Sequence, residues 1–230
     1  MHREGEYVGR PQFERSRESR HYIADDVLDP ALPRIFIDWG MANLPPVQDD
    51  MAGGGYQSGT HLDISDVDGF GDFHDMIHGH RVNAAEALGI EMDDDVRLEL
   101  WISARAEGHY FHWHTDADYA TKNPCGIQTR LATFCYYMHT EPRLWLGGEF
   151  EFADGTLLDP LNNRLTFFPP WQIHRVRHVH AVPWGIDEGE RNWPDVPELD
   201  WQNARWNVAG WVHRLHGPVD YGRRLPGGAC

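Results

Sequence analysis

Residues 96–116 read VRLELWISARAEGHYFHWHTD, and the arrangement of this stretch decides how the rest of the chain is read. From Val96 the residues alternate. Val96, Leu98, Leu100 and Ile102 line one face and Arg97, Glu99 and Trp101 the other, a period of two that predicts a strand. Downstream, His112, Trp113, His114, Thr115 and Asp116 place two imidazoles and a carboxylate at every second position. In an extended segment such residues share a face.

Outward from this stretch, further strand-like runs occur at Arg130 to Met138, Glu149 to Phe152, Arg164 to Phe168, His174 to Val179 and Trp206 to His213, separated by Gly, Pro, Asn and Asp clusters. Asp72 to Leu88 carries Phe73, Met76, Ile77, Ala84, Ala87 and Leu88 at helical spacing, with Gly89 as a C-terminal stop. Tyr22 to Gly40 holds the makings of a helical turn and a short strand, in an order the pattern leaves open. Many short strands after an opening helical region predict a mostly β protein with flanking helices, a double-stranded β-helix (jelly roll, cupin-like).

The remaining segments set the expected organisation. Residues 1–20, polar and rich in Arg and Glu, read as an N-terminal arm, and residues 21–230 as a single jelly-roll domain. Met41 to Gly59, with consecutive Gly53, Gly54 and Gly55, reads as a loop able to act as a lid. About residues 181–203, three Trp, three Pro and several acids fit neither period and read as an insert near the barrel mouth.

Acidic residues outnumber basic ones by 36 to 20, a formal charge of −16. That charge repels phosphate backbones, so nucleic acid is not the expected partner. No apolar run approaches the roughly 18 residues of a membrane span, and the polar start lacks a signal-type apolar region. A cytoplasmic location without membrane association is expected. Cys125, Cys135 and Cys230 form no close pair, and reduced thiols are the expectation. Oligomeric state leaves no trace in the sequence.

Two His and one carboxylate on one face of an octahedral Fe(II) leave three positions open for a chelating cosubstrate and dioxygen. His114 and Asp116 are the expected adjacent pair. The third ligand must come from another strand, and His174, which begins a strand-like run after Pro169 and Pro170, is the candidate. His109, His112, His178 and His180 compete. His112 is the principal rival, because alternation sets it on the face of His114.

From about Leu98 to His213 the chain resembles the prolyl-4-hydroxylase-like branch of the 2-oxoglutarate and Fe(II)-dependent oxygenases. Four blocks carry the likeness, in the family's order. Gly108, Tyr110, Phe111, His114 and Asp116 resemble its aromatic lead-in to His-x-Asp. Arg130, Ala132, Thr133, Tyr136 and Tyr137, then Gly147, Gly148 and Glu149, resemble its paired core strands and Gly-Gly-Glu turn. Phe168, Pro169, His174, Val176 and Val179 resemble its distal-histidine strand, and Arg205 to Trp211 its cosubstrate-binding strand. Two departures stand out. Arg105 takes the place of a family Tyr, and the interval from His174 to Arg205 is longer than usual.

The resemblance implies an Fe(II) dioxygenase using 2-oxoglutarate and O2. It would hydroxylate an unactivated C–H bond and release succinate and CO2, with desaturation or ring closure as other outcomes. The cosubstrate's C5 carboxylate would meet Arg205, a planar fork that makes two parallel charge-assisted bonds. Thr133 or Tyr136 would add a hydroxyl contact, and Arg105, Trp113 and Trp171 would line the substrate pocket. Related halogenases carry a small residue where this chain has Asp116, which favours hydroxylation. The expected substrate is a small molecule, a free amino acid or natural-product intermediate, with peptidyl proline as the alternative. Two further readings share the jelly roll: a cupin-like metalloenzyme without 2-oxoglutarate, and a lectin-like binding protein.

Overall fold

The computed structural model describes residues 18–45, 59–92, 94–117, 129–181 and 201–215. The elements run β1 (Tyr22–Ala24), α1 (Leu32–Asn43), β2 (Thr60–Asp63), α2 (Gly71–Leu88), β3 (Val96–Arg105), β4 (Phe111–His114) and β5 (Arg130–Met138). They continue with β6 (Trp145–Gly147), β7 (Phe150–Phe152), β8 (Leu157–Leu158), β9 (Arg164–Phe168), β10 (His174–Val176), β11 (Val179–Ala181), a 3₁₀ turn (Trp201–Asn203) and β12 (Arg205–Arg214).

A six-stranded sheet in the order β1-β9-β5-β12-β3-β2 forms one wall of the barrel, and a four-stranded sheet, β4-β10-β7-β8, forms the other. A two-stranded ribbon, β11-β6, completes the set. Every pairing is antiparallel. This is the double-stranded β-helix expected from the spacing of the strands.

At its centre, β12 pairs with β3 over ten consecutive positions, from Arg205 opposite Arg105 to Arg214 opposite Val96. The alternation in β3 explains what each face does. Leu98, Leu100, Ile102 and Ala104 are buried with Phe36, Ile37, Phe73 and Ile77 of the two helices, in a core on the outer side of the large sheet. Fully burying an aliphatic or aromatic side chain there stabilises the fold by about 1.5–3 kcal/mol. A second, smaller core between the sheets holds Cys135, Tyr137, Phe150, Phe152, Phe168 and Val176.

α2 spans Gly71–Leu88, and Gly89 ends it in a left-handed conformation with φ 63°, the stop expected from the sequence. In the opening region β1 precedes α1, and α1 runs through Met41 to Asn43, where a loop is expected. The run from His174 to Val179 is two strands rather than one. Arg177 donates its N–H to Glu149 O and His178 accepts from Gly148 N–H, so the chain changes partners between β10 and β11. The proposed lid glycines, most of the N-terminal arm, the body of the Trp/Pro insert, Cys125 and Cys230 lie outside the described residues. Cys135 is buried and unpaired. No helix among the described residues is long and apolar enough to cross a membrane.

Candidate metal centre and cosubstrate pocket

His114 ends β4 and stands directly opposite His174, the first residue of β10. Asp116 follows two residues later, where its N–H and that of Ala117 both donate to Pro170 O at 2.8 Å. That pair of bonds ties the His-x-Asp segment to the turn leading into β10, so one backbone clamp brings all three side chains together. His114 Nε2 lies 3.7 Å from Asp116 Oδ1, and His174 Nε2 lies 3.4 Å from Asp116 Oδ2. One donor atom from each residue falls within 4.8 Å of the others.

The donor set suits a divalent cation. His114 Nδ1 is 2.6 Å from His112 O and His174 Nδ1 is 2.8 Å from Gln172 O. Each Nδ1–H therefore donates to a backbone carbonyl, which leaves each Nε2 lone pair directed at the shared point. Burial lowers the pKa of both imidazoles, with the neighbouring His174 adding to the effect on His114, so the neutral, ligating form is favoured. Thr133 donates Oγ1–H to Asp116 Oδ2 at 2.9 Å, and Arg130 Nη1 donates to Asp116 O at 2.6 Å. Asp116 is thus held through both its carboxylate and its backbone carbonyl.

Alternation misplaces His112. β4 meets β10 with an irregular register: His114 faces His174, but Phe111 rather than His112 faces Val176. His112 and Trp113 together occupy the space opposite Arg175, a bulge that turns both outward. His112 is exposed, and Phe111 stacks on the His114 ring at 3.8 Å between centroids. His112 therefore contributes its carbonyl and not its ring. His109 and His180 are also engaged elsewhere, His109 Nδ1 accepting from Ala106 N–H and His180 lying beside Glu107.

Two buried guanidinium groups, those of Arg205 and Arg105, face one another across β12 and β3. Arg205 is 1% exposed; its Nε donates to Gly148 O at 2.8 Å and its Nη1 to Asn207 Oδ1 at 2.9 Å, with the guanidinium carbon 5.2 Å from the Tyr137 ring centroid. The Gly147–Gly148 turn makes the approach possible. Both glycines have positive φ, 74° and 66°, and a Cβ on Gly148 would lie 2.7 Å from Arg205 Cδ. Arg205 has no carboxylate within ion-pair distance among the described residues. Glu149 acts on it only from beyond ion-pair distance, and a buried charge so weakly balanced is costly, so its surroundings suit a carboxylate-bearing ligand.

Of the other expected site residues, Thr133 faces this interior, along with Cys135 and Tyr137. Tyr136 does not: it points from the opposite face of β5 and donates its hydroxyl to Asn163 Oδ1 at 2.9 Å, within the helix-side core. Period two forbids Thr133 and Tyr136 from sharing a face. Tyr137 is the residue that reading missed. Trp113 is 38% exposed and lies under the Arg175 guanidinium at 4.6 Å, outside the barrel. Trp171 is half-buried in the turn between β9 and β10. Arg105 is buried inside, next to Arg205.

The family model described as the 2OG-Fe(II) oxygenase superfamily matches residues 100–213, from the middle of β3 to near the end of β12. An uncharacterized PKHD-type hydroxylase of Synechocystis is 25% identical over 130 residues, 51% of this chain and 36% of that protein, so the match spans about a third of the relative's length. A prolyl-4-hydroxylase of Pseudomonas putida superposes with a TM-score of 0.58 at 14% identity, covering 86% of this chain and 94% of its own. The viral collagen prolyl hydroxylase of Paramecium bursaria Chlorella virus-1, solved as a 2OG complex, gives 0.59 at 12% identity, covering 85% and 97%. With the His-Asp-His cluster, the barrel around it and the family match coinciding, residues 100–213 of the chain belong to the 2OG-Fe(II) oxygenase superfamily, whose chemistry uses Fe(II), 2-oxoglutarate and O2.

Proposed function

We propose that this protein is an Fe(II)- and 2-oxoglutarate-dependent dioxygenase that hydroxylates an unactivated C–H bond of a small molecule. The observation that carries the reading is the convergence of His114 Nε2, His174 Nε2 and the Asp116 carboxylate, in a barrel that also buries Arg205 with no ion-pair partner among the described residues. His114, Asp116 and His174 would hold the iron, and Arg205 would take the far carboxylate of the cosubstrate with Tyr137 beneath it. When bound, iron with 2-oxoglutarate and O2 supplies the oxidation: the cosubstrate leaves as succinate and CO2, and one oxygen atom ends on the substrate.

The chain's own residues do the rest. The two Nδ1–H bonds to His112 O and Gln172 O orient the imidazoles before any metal arrives. Thr133 holds Asp116 Oδ2 and so fixes the orientation of the carboxylate that would bind the metal. Phe111, Phe150 and Phe168 pack on the ligand rings and keep water from their flanks. Asp116 supplies a carboxylate where the resemblance implies that halogenases carry a small residue, which supports hydroxylation.

Peptidyl proline is the second reading, because the structural relatives are named as prolyl hydroxylases. The test is aerobic incubation of the purified protein with iron and 2-oxoglutarate, against free amino acids and small metabolites in one arm and proline-containing peptides in the other. Succinate release stimulated by a small molecule, with the mass of that compound raised by one oxygen atom, is the expected result. Stimulation confined to the peptides selects the second reading, and no iron-dependent succinate in either arm sinks both.

A further inference from the structure

The two imidazoles of the metal centre are oriented by backbone carbonyls that are held in different ways. His114 Nδ1 meets His112 O at 2.6 Å, and His112 is a residue of β4. His174 Nδ1 meets Gln172 O at 2.8 Å, and Gln172 lies in the turn between β9 and β10, outside either strand. Within that turn Gln172 N–H donates to Pro169 O at 3.1 Å, and the next carbonyl along, Ile173 O, accepts from Ala153 N–H at 3.0 Å. The orientation of a ligand imidazole is set by the partner of its second nitrogen. Whatever fixes the Gln172 carbonyl therefore fixes the His174 ring.

The Gln172 side chain supplies a fixing that the turn alone does not. Arg20 donates its backbone N–H to Gln172 Oε1 at 2.6 Å, and Gln172 Nε2 donates back to Arg20 O at 3.1 Å. A side-chain amide offers an acceptor and a donor in one plane. Here it imitates the two-bond exchange of a facing residue in an antiparallel pair.

Arg20 is itself anchored on both sides. Ser19 N–H donates to Asp154 Oδ2 at 2.5 Å, in the turn after β7, and Tyr22 opens the pairing of β1 with β9 opposite Phe167. The Arg20 guanidinium donates through Nη1 to Leu88 O at 3.0 Å, satisfying a carbonyl at the C-terminal end of α2. His21 stacks on Phe152 with ring centroids 6.0 Å apart, and Phe152 stands opposite His174 in the β7–β10 pair. The segment from Ser19 to His21 thus meets the surroundings of His174 twice. It holds the residue whose carbonyl receives the Nδ1–H, and it covers the cross-strand neighbour.

We infer that Gln172 is a positioning residue of the metal centre, and that Ser19, Arg20 and His21 form the strap that holds it and so sets the orientation of His174. The inference rests on the metal ligands proposed above and adds residues that touch neither metal nor cosubstrate.

The test uses the full chain loaded with Co(II), a divalent ion that takes the same nitrogen and oxygen donors. Its unpaired electrons move the exchangeable Nδ1–H protons of ligated imidazoles far outside the ordinary proton NMR range. Wild type should give two such signals, one from each histidine. Absence of both refutes the ligand assignment itself, and the inference with it.

Gln172→Met keeps the length of the side chain and removes both bonds to Arg20. One signal should then move and exchange with solvent about fivefold faster, while the other stays in place. Co(II) affinity should fall about 3–10-fold, less than the roughly 10–100-fold cost of losing a direct outer partner. Gln172→Glu, which keeps the acceptor for Arg20 N–H, should lie between Gln172→Met and wild type, and it carries the comparison alone if Gln172→Met does not fold. Tyr22→Phe is the stability control: it removes the nearby bond to His80 Nδ1 at 2.9 Å and leaves the clasp intact. It should lower the denaturant midpoint and move neither signal. Unmoved signals in the Gln172 variants, equal movement of both, or the same single shift in Tyr22→Phe overturns the inference.

Discussion

His114 faces His174 squarely across the β4–β10 pair, while Phe111, three residues earlier, faces Val176, two residues later on the partner. One extra residue on β4 is absorbed between those pairs. The consequence is that His114 and Phe111 both point inward, and His112 and Trp113 both point out. The bulge selects the candidate metal ligand from two imidazoles that the local sequence makes equivalent.

Replacing any of His114, Asp116 or His174 by Ala should abolish iron-dependent succinate release. Metal affinity should fall by more than the roughly 100-fold that losing an outer partner can cost. His112→Ala should retain metal and activity, because the interaction with His114 runs through the His112 carbonyl. Metal content after dialysis and succinate assays check both, and the reverse pattern would overturn the ligand assignment.

Thr133→Val removes the hydroxyl that donates to Asp116 Oδ2 and keeps the shape of the side chain. Metal binding should weaken by roughly 10–100-fold, with Thr133→Ser close to wild type. Isothermal titration with Mn(II) reads the difference, and equal affinities in Val and Ser variants would remove Thr133 from the site.

Gly148→Ala should reach the cosubstrate pocket through the backbone. Its φ of 66° disfavours a side chain by about 1–2 kcal/mol, and the new methyl would press on Arg205 Cδ at 2.7 Å. The 2-oxoglutarate dissociation constant should rise on the order of 10-fold, while metal binding changes little. Unchanged cosubstrate affinity in a folded variant would show that Arg205 does not need this turn.

Glu99 provides a pH test of the interior polar network. Burial by itself would raise its pKa, but hydrogen bonds with His213 and Trp101 and the charge of Arg130 outweigh that and hold it at about 2. The folded value lies below the unfolded one, so the stabilisation is present above pH 4.5 and is lost as pH falls from there toward 2. It amounts to something on the order of 3 kcal/mol at neutral pH. Glu99→Gln should be less stable than wild type at pH 7 and should lose less stability on acidification to pH 3, as read by denaturant melts. Parallel pH profiles would refute the assignment.

Local pattern carried much of this protein. Period two along Val96–Ile102, helical spacing from Phe73 to Leu88 and the Gly89 stop are properties of neighbouring residues, so they survive without knowledge of partners. The same holds for the boundaries of β5 and β9, and for His-x-Asp as a metal-binding candidate. The small strands β2, β6 and β8, of two to four residues, left no pattern long enough to read.

Parity was harder to read. In β5 every residue from Leu131 to Met138 is buried, because helices cover one face and the barrel interior the other, and a strand apolar on both sides carries no mark of which side is which. Alternation excludes Thr133 and Tyr136 from a common face, and which of the two turns inward, with Tyr137 beside it, is decided by the folded sheet. His112 and His114 could be separated only by the bulge, which depends on how β4 meets β10. The surroundings of Arg105 likewise depend on strands far apart in the chain, because Asn207 and Arg205 become its neighbours only when β12 pairs with β3. What the sequence by itself determined was the set of elements and the chemical types available. Which side chains face one another across the barrel was decided by long-range pairing, because register and bulges are properties of two strands and not of one.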